Sequence, residues 1–318
     1  AKTADTIASM RAPRRRALAA LAAALPVAGE GVAVDWVTDR SKPFSVPFDV
    51  FAADGRLWIA PQWAWSEEEE QHIVAVAPLD IKGANWAGFQ QDGCPHELYK
   101  KANSVDKYVK FLVDNGFNAV RLPLGAHWVI DNPEVGGACG SYRNHRTLDV
   151  LDSVIAALRR AGIFVMLDMH NLVHPKHGSK HWRCVYGHDD DDGCDPDEDD
   201  EQQLFGAWTV LAERYCAEPH VIAADLFNEP ADATWVHKGE DIDFFTDWPS
   251  AASRLGNHVL DICPRWLIVV AGVANKGGQC KDSASKTHCW WGENFIGHAT
   301  RPVELSDPSK LVLSPHVY

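Results

Sequence analysis

The chain has 318 residues, 46% of them hydrophobic, with 13 Trp and a net charge of −14. That is enough to bury one sizeable core, and the lack of a long low-complexity linker favours one catalytic-size domain over two. Ten of the acidic groups lie together in Asp189 to Asp192, Asp195 and Asp197 to Glu201, so the remainder is only mildly acidic, which argues against a nucleic-acid partner.

Met10 opens a stretch of secretory-signal character: Arg11, Arg14, Arg15 and Arg16 precede the apolar run Ala17 to Ala28, then Gly29. Residues 1–29 are therefore expected to be upstream residues plus a signal peptide starting at Met10, too short in its apolar part to span a bilayer. An amphipathic helix of the folded protein is the alternative. Export to the extracellular space would suit the eight cysteines, because an oxidising compartment permits disulfides. The pairs Cys184 with Cys194 and Cys280 with Cys289 would close short loops, and Cys216 with Cys263 would join two neighbouring helices.

Phe48 to Trp58, with Asp54-Gly55 at its centre, reads as a β-hairpin ahead of the main domain. Six apolar strands then follow, near Pro78 to Trp86, Ala119 to Leu124, Ile163 to Asp168, Val221 to Phe227, Trp266 to Val270 and Leu311 to His316. Amphipathic helices separate them, with apolar faces such as Val105, Tyr108, Val109, Leu112 and Val113, or Leu148, Leu151, Val154, Ile155 and Leu158. Such alternation means an α/β fold with a parallel sheet, either doubly wound or a barrel. Polar residues decide for the barrel. Asn85, Arg121, His170, Asn228 with Glu229, and His316 with Tyr318 recur just after the strands, as at the carboxyl-end face of a TIM barrel, and no phosphate-binding glycine fingerprint follows the first strand.

That face carries the chemistry. Breaking a glycosidic bond needs a proton for the leaving oxygen and a carboxylate opposite it. Glu229 is the candidate acid, Asn228 a candidate partner for a sugar hydroxyl, Arg121 a group that could hold a carboxylate ionised, and His316 and Tyr318 groups that could tune it. Each has a structural alternative: Arg121 in a buried ion pair, His170 as a core histidine, Asn228-Glu229-Pro230 as a turn, any one Trp as core filler. No Gly-x-Ser-x-Gly elbow supports a serine nucleophile. Pro175 and Gly178 interrupt any helix that would align His170, His174, His177 and His181 on zinc. In the acidic stretch Asp190-x-Asp192-Gly193 has calcium-loop character, yet His188 falls on the first ligand position and Asp199 on the twelfth, so a solvated loop is expected, with no metal and no cofactor.

In their order and spacing, six motifs resemble glycoside hydrolase family 5, the cellulase family of retaining endoglucanases: Ile81-Lys82-Gly83-Ala84-Asn85-Trp86-Ala87-Gly88-Phe89, Asn118 to Pro123, Leu167-Asp168-Met169-His170, Asp225 to Pro230, Trp290-Trp291-Gly292 and Ser314 to Tyr318. The resemblance runs from about Pro78 to Tyr318. It implies a (β/α)8 barrel, Glu229 as acid/base, Asn228 beside it, a supporting shell of Arg121, His170, His316 and Tyr318, and substrate contacts from Asn85, Trp86 and Trp291. It implies double displacement with retention, in which a second glutamate attacks the anomeric carbon.

In that family the nucleophile ends the seventh strand and a sugar-stacking Trp follows the eighth. Residues 30–318 supply about six of the eight strand-helix units, so both would lie beyond Tyr318; Glu293 and Glu304 fall between the fifth and sixth strands and do not fit. The expectation is an incomplete barrel of a secreted, monomeric β-1,4-glucanase acting on a polysaccharide or oligosaccharide, the chain itself inactive. A non-catalytic carbohydrate-binding or degenerate paralogue is the alternative, ahead of an unrelated metal-dependent barrel hydrolase.

Overall fold

The computed structural model describes residues 48–61, 77–100, 103–172, 182, 201–230, 233–237, 239, 241–274 and 289–317. The signal-like segment, His174, His177, His181, Cys184, Cys194, Cys280, the acidic stretch before Glu201, and Tyr318 lie outside the described residues.

Two strands, β1 (Phe48–Ala53) and β2 (Arg56–Pro61), pair antiparallel, with Ala53 opposite Arg56. Asp54 (φ 52°) and Gly55 (φ 72°) both take left-handed backbone, which a two-residue turn matching strand twist requires. A two-residue strand, β3 (Ala77–Pro78), adds to β2 through Trp58 opposite Pro78. The stretch expected as one strand from Pro78 to Trp86 is thus split: Pro78 lacks the N–H of a ladder donor and ends this small sheet, and the barrel strand is only β4 (Gly83–Asn85).

The second sheet holds β4, β5 (Ala119–Gly125), β6 (Phe164–Asn171), β7 (Val221–Asp225), β8 (Leu267–Ala271) and β9 (Leu311–Ser314) in that order, every neighbouring pair parallel. It is the curled six-stranded sheet of a partial (β/α)8 barrel. The helices are α1 (Phe89–Asp92), α2 (Val105–Asp114), α3 (Ala126–Asp131), α4 (Thr147–Arg160), α5 (Glu201–Tyr215) and α6 (Trp248–Ile262). Their apolar stripes pack on one face of the sheet: Leu148, Leu151, Val154, Ile155 and Leu158 of α4 share a core with Val120, Leu122, Val165 and Leu167.

Alternation along each strand sends the other residues to the inner face. Near its amino end this face is apolar, where Ala119, Phe164, Ile222, Ala223 and Leu267 meet Phe48, Val50 and Ile59 of the hairpin. Lys310, 2% exposed, fastens the hairpin there by donating to Asp49 Oδ1 (2.6 Å) and to the Val50 carbonyl (2.5 Å). Among the described residues two disulfides tie the outside: Cys216–Cys263 joins the ends of α5 and α6 as the sequence suggested, and Cys94–Cys139, a pair the spacing did not single out, holds the loop carrying α1.

Candidate active site

At the carboxyl end of the same inner face the residues turn polar. Register sets Asn85 beside Arg121, and Pro123, Asp168 and Asp225 in one row across β5, β6 and β7. Arg121 is the hub. Its Nε donates to Asp225 Oδ2 (2.9 Å), Nη1 lies 2.9 Å from Asp168 Oδ2 and 3.3 Å from Asn85 Oδ1, and Nη2 donates to Asn228 Oδ1 (2.9 Å). Burial works against the guanidinium charge, but the charges of Asp168 and Asp225 outweigh it and raise its pKa. Asp225 is fully buried, and burial pushes its carboxyl up to about 6, with Arg121 pulling the other way and Asp168 adding to the rise.

The chain beyond β7 is held on both sides. Leu226 N donates to Val269 O (3.0 Å), Asn228 N to Met169 O (2.9 Å), and the buried indole of Trp208 in α5 donates to Leu226 O (3.1 Å). Glu229 then takes φ 44°, a left-handed conformation unusual for a non-glycine residue and kept only where surroundings over-determine it. Its Oε1 lies 2.8 Å from His316 Nδ1, just past β9. Gly292 closes over this pair: its carbonyl accepts from Gly272 N (3.0 Å) and His316 N (3.3 Å), and a Cβ on it would come within 2.9 Å of the His316 ring and 3.2 Å of Glu229 Cγ. On the other side His170 Nδ1 lies 2.8 Å from Asp168 Oδ2. Asn85, Arg121, His170, Asn228, Glu229 and His316 line one cleft of about 540 Å³, together with Gln90 of α1.

The cellulase model, glycosyl hydrolase family 5, matches residues 79–318. The chain belongs to glycosyl hydrolase family 5. It is 30% identical over 245 residues to an endoglucanase of Paenibacillus polymyxa, covering 75% of this chain and 55% of the relative. It is 29% identical over 270 residues to the major extracellular endoglucanase of Xanthomonas campestris pv. campestris, covering 82% and 51%. Among solved structures, a hyperthermophilic endocellulase from the archaeon Pyrococcus horikoshii superposes with a TM-score of 0.69 at 27% identity, over 86% of this chain and 70% of that one. The chain spans about half the length of the two curated relatives it matches.

Within this family-5 frame, Trp86 is corrected. On β4 the neighbour of an inward residue points outward, so Asn85 reaches the cleft while Trp86 packs on the helix side, its ring 5.1 Å from that of Tyr108 in α2. It is not among the described residues that line this cleft. Trp291 is 40% exposed and precedes the glycine that covers Glu229 and His316, which puts its backbone at the rim. Sequence reasoning passed over Asp168 and Asp225 as site residues, although aspartates ending otherwise apolar strands, one row beyond an inward Arg, were the signal; nothing in the sequence pointed to Gln90.

Proposed function

We propose that this chain carries the acid/base half of a retaining glycoside hydrolase that cuts internal β-1,4-glucosidic bonds of cellulose or a related β-glucan, working outside the cell. The observation that carries the reading is Glu229, presented past a barrel strand and paired with His316, in a cleft whose other polar walls are Asn228, Arg121, Asn85 and His170. The endoglucanase names of the relatives support the same substrate class.

In this reading Glu229 protonates the leaving oxygen and later takes a proton from water. His316 Nδ1, at 2.8 Å from its Oε1, holds the carboxyl in place through both steps. Arg121 holds the Asn228 carbonyl oxygen, so the Asn228 amide N–H groups are the ones left to meet a sugar hydroxyl. Trp291 at the rim offers a ring for a sugar face. Retention needs a second carboxylate about 5 Å from the first. Among the described residues that line the cleft Glu229 is the only carboxylate, and Asp168 and Asp225 are committed to Arg121. The nucleophile is therefore proposed to lie outside the described residues. The decisive experiment compares the native protein with Glu229→Gln on a soluble β-1,4-glucan and on cello-oligosaccharides. Turnover with retained anomeric configuration, lost in the variant while oligosaccharide binding persists, is expected; turnover that survives the substitution would remove Glu229 from the acid's role, and sugar binding without any wild-type turnover would favour a carbohydrate-binding paralogue.

A further inference from the structure

Asp168 is fully buried on β6, two residues before His170, so both side chains lie on the inner face of the strand. A single oxygen, Oδ2, serves two partners: Arg121 Nη1 at 2.9 Å and His170 Nδ1 at 2.8 Å. The other oxygen, Oδ1, is buried with no hydrogen-bond partner among the described residues. One oxygen of the carboxylate thus holds both the guanidinium and one ring nitrogen.

A carboxylate in an ion pair only accepts hydrogen bonds, so the nitrogen facing it must carry the proton. A neutral imidazole has one N–H, and when Nδ1 carries it Nε2 is a bare acceptor. His170 lines the cleft with 31% of its side chain exposed, enough for the far edge of the ring to meet a ligand. We propose that Asp168 is a positioning residue that fixes neutral His170 as the Nδ1–H tautomer, so that its Nε2 accepts a hydrogen bond from a sugar hydroxyl. The inference deepens the glycosidase reading and rests on it for the identity of the ligand.

The two polar walls then have opposite character. Arg121 takes the oxygen of Asn228 and leaves its N–H groups, whereas Asp168 takes the N–H of His170 and leaves a lone pair. A hydroxyl is both donor and acceptor, so a sugar carrying adjacent hydroxyls can satisfy both walls, while a ligand offering acceptors alone meets a repulsive lone pair at His170.

The test is nuclear magnetic resonance of the imidazole nitrogens in the ¹⁵N-His-labelled protein at about pH 8, where neutral imidazole dominates. The His170 signals are identified by their disappearance in His170→Gln. The expected wild-type spectrum shows the proton on Nδ1 and a bare Nε2. In Asp168→Asn the Nδ1–H population should fall, and affinity for cello-oligosaccharides should drop about tenfold or more, as when a buried hydrogen-bond network loses its charged member. A wild-type His170 with its proton on Nε2 overturns the proposal, and so does an Asp168→Asn protein whose tautomer and oligosaccharide affinity match wild type. The tautomer is read from the wild-type protein, with His170→Gln serving only to assign its signals, so a misfolded Asp168→Asn leaves the proposal open to refutation. It is also measured without substrate, which separates it from the glycosidase reading: loss of that reading through Glu229→Gln leaves the tautomer result standing.

Discussion

Gly292→Ala tests how tightly the Glu229–His316 pair is enclosed. The residue sits at φ +75°, where an added Cβ would lie 2.9 Å from His316 Cγ, 3.0 Å from its Nδ1 and 3.2 Å from Glu229 Cγ. Left-handed backbone costs an alanine roughly 1–2 kcal/mol and forced overpacking about 1–3 kcal/mol, so the fold should lose about 2–5 kcal/mol. For a domain of this size that is a fall in Tm of roughly 4–20 °C. The His316 ring relieves the contact if it moves off Gly292, which lengthens its 2.8 Å bond to Glu229. A charge-assisted hydrogen bond contributes about 1.5–3 kcal/mol, so its loss would lower kcat by about 10- to 150-fold if Glu229 is the proton donor.

The assay is thermal unfolding alongside kcat and KM on a cello-oligosaccharide. Gly136→Ala is the control, since its φ is −84° and an added Cβ meets nothing within 4 Å; it should change neither reading. A Gly292→Ala protein with wild-type Tm and kcat would refute the claim that this glycine is required by the geometry of Glu229 and His316. A lowered Tm with unchanged kcat would show that His316 does not act through Glu229.

Asp225 gives a pH prediction. Its folded pKa is raised from 3.8 to about 6 by burial, so its stabilising contribution is present in full below the unfolded value and is lost as pH rises through the folded one. The shift corresponds to roughly 2–3 kcal/mol; denaturant unfolding between pH 4 and pH 7 should show Asp225→Asn gaining on wild type by that order, and parallel curves would show that this carboxyl is ionised in the fold throughout. Lys310→Met should loosen the hairpin by about 1–3 kcal/mol because it leaves the buried Val50 carbonyl without its donor; hydrogen exchange confined to β1 and β2 would report it, and unchanged protection there would show that apolar packing alone holds the hairpin.

The strands and helices of the sheet were legible because both periods are strong: the α4 stripe from Leu148 to Leu158 packs on the sheet, and the strands beginning at Ala119, Phe164, Val221, Leu267 and Leu311 lie where the apolar runs are. The first strand was drawn too long because Pro78 and Gly83 belong to different sheets, a division set by which strand edge each meets in space. The same overlong strand bears on Trp86: the resemblance implied a substrate contact, but the inward placement of Asn85 decides which neighbour is turned away. Asp168 and Asp225 escaped because their partner, Arg121, is 104 residues from Asp225 in sequence. Cys94–Cys139 escaped for a related reason, since spacing along the chain carries no record of which cysteines the loops bring together.

Arg121 was read in two ways, as a group that holds a carboxylate ionised and as a structural ion pair, and the geometry makes these one role. One guanidinium faces two buried aspartates, so one negative charge is left in excess among groups shielded from water. Such a cluster is a poor device for stability, because apolar residues would fill the same place at less cost in desolvation. Its use is orientation. The guanidinium fork, with its five N–H donors, reaches Asp225, Asp168, Asn85 and Asn228, three strand positions and the residue next to Glu229. Lysine, with a single ammonium, cannot hold that geometry. Burial raises Asp225 and the charge of Asp168 adds to the rise, and the field of the excess charge favours positive charge on any group brought to the cleft and disfavours an anionic ligand, as the proposed glycosidase reading with its oxocarbenium-like transition state would require. The polar end of the inner face thus accepts a cost in stability, while the hairpin and Lys310 seal its apolar end, and both sets of residues come from alternate positions on the same strands.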